Sequence, residues 1–153
     1  MIPPAVVPVV VATEASAGSF DRMKALAGTW RPAGDAASPL RIRFSLTAGG
    51  SVLVEEWLRR GKPHSLTLYH RDGARLVATH YCPQGNQPRL VSAGEGAPAM
   101  VRFRFLDSTD LDAGEEVLTD LSFDLTDPRR PVRRERYRGD GHEQPSLLRL
   151  ERE

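Results

Sequence analysis

The stretch HSLTLYHRDGARLVATHYC, residues 64–82, decides how the rest of the chain is read. Two runs suited to β-strands flank Arg71-Asp72-Gly73, and Gly73 supplies the left-handed position that a three-residue hairpin loop requires. Such a loop pairs His70 with Ala74, Leu68 with Leu76, Leu66 with Ala78 and His64 with His80. One face of the hairpin is then apolar, made of Leu66, Leu68, Leu76 and Ala78. The other carries Ser65, Thr67, Tyr69, Val77, Thr79 and Tyr81. Because side chains alternate along a strand, a slip of one residue would mix the two faces. This register sets His64, His80 and Cys82 at one end of the apolar face.

The same grammar extends in both directions. Strand-like runs lie at 28–33, 39–47, 51–58, 64–71, 74–82, 88–92, 99–107, 117–126, 131–138 and 146–152, punctuated by many of the 13 glycines and 12 prolines. The links are short, so strands adjacent in sequence are expected to pair as an up-and-down meander. That many strands in a small chain avoid open edges by closing. One helix precedes them. Ser19 reads as its N-cap and Asp21 as a first-turn carboxylate, with Phe20, Met23, Leu26 and Ala27 near helical spacing and Gly28 as its terminator. The expected fold is all-β: a single up-and-down antiparallel barrel of about ten strands, with one short N-terminal helix plugging one end. The barrel domain is expected over 18–153.

Residues 1–17 read in two ways. Pro3–Ala12 is apolar and Ala15-Ser16-Ala17 resembles a small-residue cleavage site, which suits a degenerate or truncated export signal. No basic n-region precedes it, and its prolines block helix, which suits a flexible tail or an irregular strand. The compartment therefore stays open between cytoplasm and periplasm or exterior. The apolar run is too short to span a bilayer.

In the neighbouring hairpin, residues 39–58, Leu40, Ile42, Phe44 and Leu46 mark the inner face of the first strand. A two-residue Gly49-Gly50 turn puts Leu53, Glu55 and Trp57 on that face, whereas an Ala48-Gly49-Gly50 loop puts Val52, Val54 and Glu56 there. Either choice turns one glutamate inward, where an unpaired carboxylate is costly.

Charge excludes some classes of function. The chain has 153 residues and a net charge of +1, so no global field draws it to nucleic acid or anionic membrane. Residues 107–127 hold eight acids and no Lys or Arg, and residues 129–138 hold six arginines. As consecutive strands they are expected to form a hairpin with cross-strand ion pairs on a solvated face, with an inward arginine available as an anion anchor. The single cysteine, Cys82, has no disulfide partner in the chain.

Gly28-Thr29-Trp30 follows the helix and opens the first strand. It resembles the Gly-x-Trp signature of lipocalins and the wider calycin group, which includes fatty-acid-binding and nitrobindin-like barrels. The resemblance implies that Trp30 lies at the closed end and that an arginine of the last strand stacks on it: Arg149, with Arg152 as the alternative. Ten strands match the fatty-acid-binding or nitrobindin type better than the eight of lipocalins. The Arg-x-Tyr carboxylate anchor of fatty-acid-binding proteins is absent from Arg134-Glu135-Arg136-Tyr137-Arg138. The late haem-binding histidine of nitrobindins has no match, since His142 lies in a Gly-Asp-Gly turn. The chain also resembles bacterial proteins sharing the Gly-Thr-Trp start and a Thr79-His80-Tyr81-Cys82 … Gly85-Asn86-Gln87-Pro88 segment, a likeness that implies no chemistry.

No nucleophile elbow, zinc-protease helix, phosphate loop or dinucleotide fingerprint occurs, and nothing calls for a cofactor. The candidate ligand-binding residues are Glu55, Glu56, His64, His80, Tyr81, Cys82, Asn86 and Arg89. The expected function is binding of a small, largely apolar molecule, its polar group held at the His64/His80 end. One alternative is an enzyme using a histidine base, the inward glutamate and Tyr81 or Cys82. Another is a filled structural or partner-binding barrel. His64, His80 and Cys82 also have the chemistry of metal ligands. Asn86 reads most simply as a turn residue. The sequence does not indicate the oligomeric state.

Overall fold

The computed structural model describes residues 9–92 and 97–153, with side chains from Ala17 onward. Helix α1 (Val9–Lys24) leads into β1 (Gly28–Pro32), β2 (Leu40–Thr47), β3 (Val52–Arg59), β4 (Lys62–Asp72), β5 (Arg75–Tyr81), β6 (Gln87–Ser92), β7 (Met100–Thr109), β8 (Val117–Asp124), β9 (Val132–Gly139) and β10 (His142–Arg152). Each strand pairs antiparallel with its sequence neighbour, and β1 pairs with β10 through Trp30↔Arg152 to close the barrel. All ten expected strands are present. Two-residue turns at Arg60-Gly61 and Asp140-Gly141 put both central residues at positive φ, the geometry whose twist matches antiparallel strands. No helix among the described residues is long and apolar enough to cross a membrane.

The helix differs from expectation. It begins at Val9, so Ser19 is an interior helical residue, 4% exposed, and not an N-cap. The segment preceding it, Ala12-Thr13-Glu14-Ala15-Ser16-Ala17, is rich in alanine, the strongest helix former, and the helix extends through it. Of the expected tail or export-signal segment, residues 1–8 lie outside the described residues, and residues 9–17 are helical rather than a flexible tail or irregular strand. Phe20, Met23 and Leu26 join the barrel core, so α1 packs over the end where β1 begins.

Parity along the strands also differs. In the β2–β3 hairpin a four-residue loop, Ala48–Ser51, joins Thr47 to Val52. An even loop has the same parity as the Gly-Gly turn, so Leu53 and Glu55 are buried inside and Glu56 faces outward. In β4–β5 the turn is two residues, closed by Asp72↔Arg75, and the pairs are Tyr69↔Ala78 and Thr67↔His80. The expected pairing of His64 with His80 and of Leu68 with Leu76 is therefore corrected by an odd shift. Leu76, Ala78 and His80 remain inward, but the inner face of β4 is Thr67 and Tyr69, and Leu66 and Leu68 are half-buried on the outer side. The driving force is visible inside: the Tyr69 ring packs 5.5 Å from Phe103 and 5.8 Å from Phe123, and its hydroxyl satisfies a buried carboxylate.

Trp30 is completely buried at the helix end and donates its indole N–H to Leu26 O at 2.7 Å. The arginine over its ring is Arg152, 4.2 Å from the centroid, and not Arg149. Leu148 and Leu150 face inward, so the residue sharing their parity is Arg152, whereas Arg149 is exposed on the other side. The Arg152 guanidinium also donates to Ala27 O at 3.0 Å and Ala25 O at 2.9 Å, taking up carbonyls left free where α1 ends. Gly28, at φ +135°, lies so close that a Cβ there would run into this guanidinium. The Gly-x-Trp pattern thus has a physical basis: glycine makes room for the cation that covers the tryptophan.

Arg152→Ala removes a cation–π contact and two carbonyl caps, and should lower stability by about 2 kcal/mol. Arg149→Ala should change it by less than about 0.5 kcal/mol. Urea denaturation of the two variants compares them directly; equal losses would mean that Arg152 does not hold the helix end.

Candidate functional site

The barrel interior contains a polar cluster built from side chains of β3, β4, β5 and β9. It begins with Glu55, 0% exposed. Its carboxylate accepts hydrogen bonds from Trp57 Nε1 at 2.7 Å and Tyr69 Oη at 2.9 Å, and it pairs with Arg133 at 2.9 Å. Arg133, 2% exposed, comes from β9 across the interior and also donates to Glu135 at 2.5 Å. The Arg133 guanidinium stacks 4.9 Å from the Trp57 ring centroid. Two carboxylates thus share one guanidinium, and the group carries one net negative charge.

Burial works against the charge of Arg133, but Glu55 and Glu135 outweigh it and raise the guanidinium above its ordinary range. Burial also opposes ionisation of Glu135, and here Arg133 prevails and lowers the carboxyl below its usual value. The Ser146 hydroxyl donates to Glu135 Oε1 at 3.3 Å. The Glu135 side chain keeps 17% of its exposure, so it is the edge of the cluster that meets solvent.

A second chain of groups lies beside it. Thr67 Oγ1 is 2.8 Å from His80 Nδ1, and Tyr137 Oη is 3.2 Å from His80 Nε2. Burial, reinforced by Arg133, pushes the His80 pKa down to about 4. Burial and then Glu135 push Tyr137 up. At neutral pH both are uncharged, and one proton on the imidazole lets the chain run from Tyr137 to Thr67 or in reverse. Such groups can orient a ligand by hydrogen bonding. A histidine with so low a pKa is a weak base, and a raised phenol is a weak acid.

The residues singled out in the sequence do not form one site. Glu55 and His80 enter the interior cluster. Glu56, His64 and Tyr81 come together outside the barrel, with Leu66, around a shallow cleft of about 310 Å³. There Glu56 pairs with Arg43 at 2.6 Å, and Tyr81 is 44% exposed. Arg89 is exposed and paired with Asp107. The expected His64/His80 end is therefore not formed, because the register shift turns β4 over. Of the two groups the enzyme reading could use, Tyr81 lies on the opposite side of the sheet from Glu55 and His80, while Cys82 lies on their side, near Tyr137 and Glu135. His64 and His80 likewise do not share a metal site, and among the described residues no three His, Cys, Asp or Glu side chains are grouped to hold one.

Cys82 is half-buried at the end of β5, where burial pushes its thiol up and away from the reactive thiolate. Asn86 is more than a turn residue. It is fully buried and donates to Glu116 O at 3.0 Å, tying the 82–86 turn to the loop before β8.

The residues that sequence reasoning missed are Arg133, Glu135 and Tyr137, together with Thr67 and Tyr69. A signal was present on β9. Arg134, Arg136 and Arg138 repeat every second residue, which marks an outward face and leaves Arg133, Glu135 and Tyr137 pointing in. Comparison with protein-family models and with curated proteins finds no match to this chain.

The low pKa of His80 has a consequence for acid stability. An unfolded histidine titrates near about 6.5, while His80 in the fold titrates at about 4. Between those values the unfolded chain takes up a proton that the folded chain refuses, so lowering the pH favours unfolding. Stability from this source is complete above the unfolded value, and on the order of 3 kcal/mol is lost by pH 4. His80→Gln removes that component. Its urea midpoint should fall less than the wild type's between neutral and acid pH; parallel slopes would show that His80 is not held neutral.

Proposed function

We propose that this barrel binds a small, largely apolar molecule as a calycin-type carrier or sensor, with the polar cluster of Glu55, Arg133, Glu135, His80 and Tyr137 recognising the ligand's polar group. The observation that carries this reading is Arg133, nearly devoid of solvent contact and shared by two carboxylates. Buried ion pairs seldom add net stability, because desolvating the charges costs about as much as their attraction returns. A barrel interior can be filled with aliphatic side chains, as the helix-proximal half is. A charged cluster inside the barrel is better suited to recognition, where few polar groups in an apolar surround give orientation.

The charge balance supports a definite ligand chemistry. Both carboxylates already occupy Arg133, so no free cation awaits a ligand carboxylate, which separates this site from a fatty-acid anchor. Glu135 at the edge offers an acceptor, in a group with one excess negative charge. The ligand's polar group is therefore a hydrogen-bond donor, an amine ahead of a hydroxyl, and its apolar part rests on the half-buried rings of Trp57 and Tyr137.

Titration with decylamine, decanol and decanoate, each below its micelle concentration, tests this through tryptophan emission. Trp30 is fully buried at the far end, so Trp57 reports the site. Decylamine should bind at least about tenfold more tightly than decanoate, a difference of roughly 1.4 kcal/mol. Glu135→Gln should erase the preference. Failure of all three to bind, or a preference for decanoate, would overturn the reading.

A further inference from the structure

The outer face of β7–β10 carries a second feature, which borders the interior cluster at Glu135 and Ser146. Two rows of outward side chains run across these strands. Arg104 pairs with Asp120 and Asp120 with Arg136, and beside them Arg102 pairs with Ser122 and Ser122 with Arg134. Pro145 and Leu147 of β10 continue the rows next to Arg136 and Arg134. Together they line a groove of about 510 Å³, within the size range of small-molecule sites.

The hairpin of acidic β8 and basic β9 forms, yet the acids neutralise the arginines only in part here. Among the described residues, Arg102, Arg104 and Arg134 have no hydrogen-bond or ion-pair partner. Asp120 accepts from Thr119 Oγ1 at 2.8 Å, and Glu143 reaches Arg136 at the rim at 3.8 Å. Asp124, on the same outward row of β8, acts on Arg134, so four guanidinium groups face three carboxylates and one positive charge is in excess. The Nε of Arg136 is shielded from water and lacks a hydrogen-bond partner, the Glu143 carboxylate lying 3.8 Å from it. Leu147, 47% exposed, adds an apolar wall.

We infer that this groove binds the phosphate group of a phosphorylated small molecule, held by Arg102, Arg104, Arg134 and Arg136, with the molecule's apolar part against Pro145 and Leu147. Guanidinium groups suit this role because their planar forks match phosphate oxygens and keep their charge at all working pH values. The phosphate belongs either to a free metabolite or to a lipid headgroup, since both offer the same anion with an apolar neighbour.

Calorimetric titration with phenyl phosphate, with phenol as its uncharged counterpart, is the test. Phenyl phosphate should bind and phenol should not, and added salt should weaken the binding. Arg134→Gln and Arg102→Gln should each weaken it at least tenfold. Arg89→Gln, which removes an already paired arginine elsewhere on the surface, should leave it unchanged. Co-sedimentation with phosphatidate vesicles, but not with pure phosphatidylcholine, in the absence of phenyl phosphate binding would assign the groove to a headgroup. Neither phenyl phosphate nor phosphatidate binding, or binding indifferent to Arg134→Gln, would overturn the inference. The decylamine titration should be unaffected in Arg134→Gln, so failure of this groove and failure of the interior site are separable.

Discussion

A carboxylate with no access to water must find its donors inside, and in this barrel that requirement at Glu55 organises much else. Its partners come from three strands: Trp57 from its own, Tyr69 from the next, and Arg133 from the far side of the closed sheet. Tyr69 can reach Glu55 only if the odd-numbered residues of β4 face inward. That orientation exposes Leu66 and Leu68 in part, an unfavourable exchange in apolar area alone. Filling the space between Phe103 and Phe123 with an aromatic ring, and leaving no buried carboxylate unsatisfied, outweighs it.

Toward α1 the interior is aliphatic and aromatic, and its end is sealed by Trp30 beneath Arg152. That arginine joins the helix, the first strand and the last strand in one contact, so the closure of the sheet and the docking of the helix depend on the same side chain. Among its polar side chains the interior carries the charges of Glu55, Arg133 and Glu135, with His80, Thr67 and Tyr137 beside them. The histidine and tyrosine there are held neutral by burial, which makes them hydrogen-bonding groups and not proton carriers at physiological pH.

Strand β9 serves both faces. Its inward residues contribute Arg133, Glu135 and Tyr137 to the interior cluster, and its outward residues contribute Arg134 and Arg136 to the basic groove. Acids and bases that are adjacent in sequence do not thereby neutralise each other. Pairing on a sheet is governed by register and face, and β8 offers Ser122, not an acid, opposite Arg134. A charge run that looks self-compensating in one dimension is thus only partly compensated in three.

The order and number of strands were legible because turn residues and two-residue alternation are local. So was the presence of one inward glutamate, and so was the Gly-x-Trp junction, where a φ of +135° favours glycine beneath the cation. The choice between Glu55 and Glu56, the inner face of β4, the outward placement of His64 and Tyr81, and the selection of Arg152 over Arg149 were not legible. Alternation shows which residues share a face but is silent on which face turns inward. That depends on whether a loop has an odd or even number of residues, and on partners such as Arg133, 78 positions from Glu55 in the chain. Sequence determined the strands and their periodicity; only the closed barrel, by bringing distant strands across a common interior, decided which side of each strand could satisfy a buried charge.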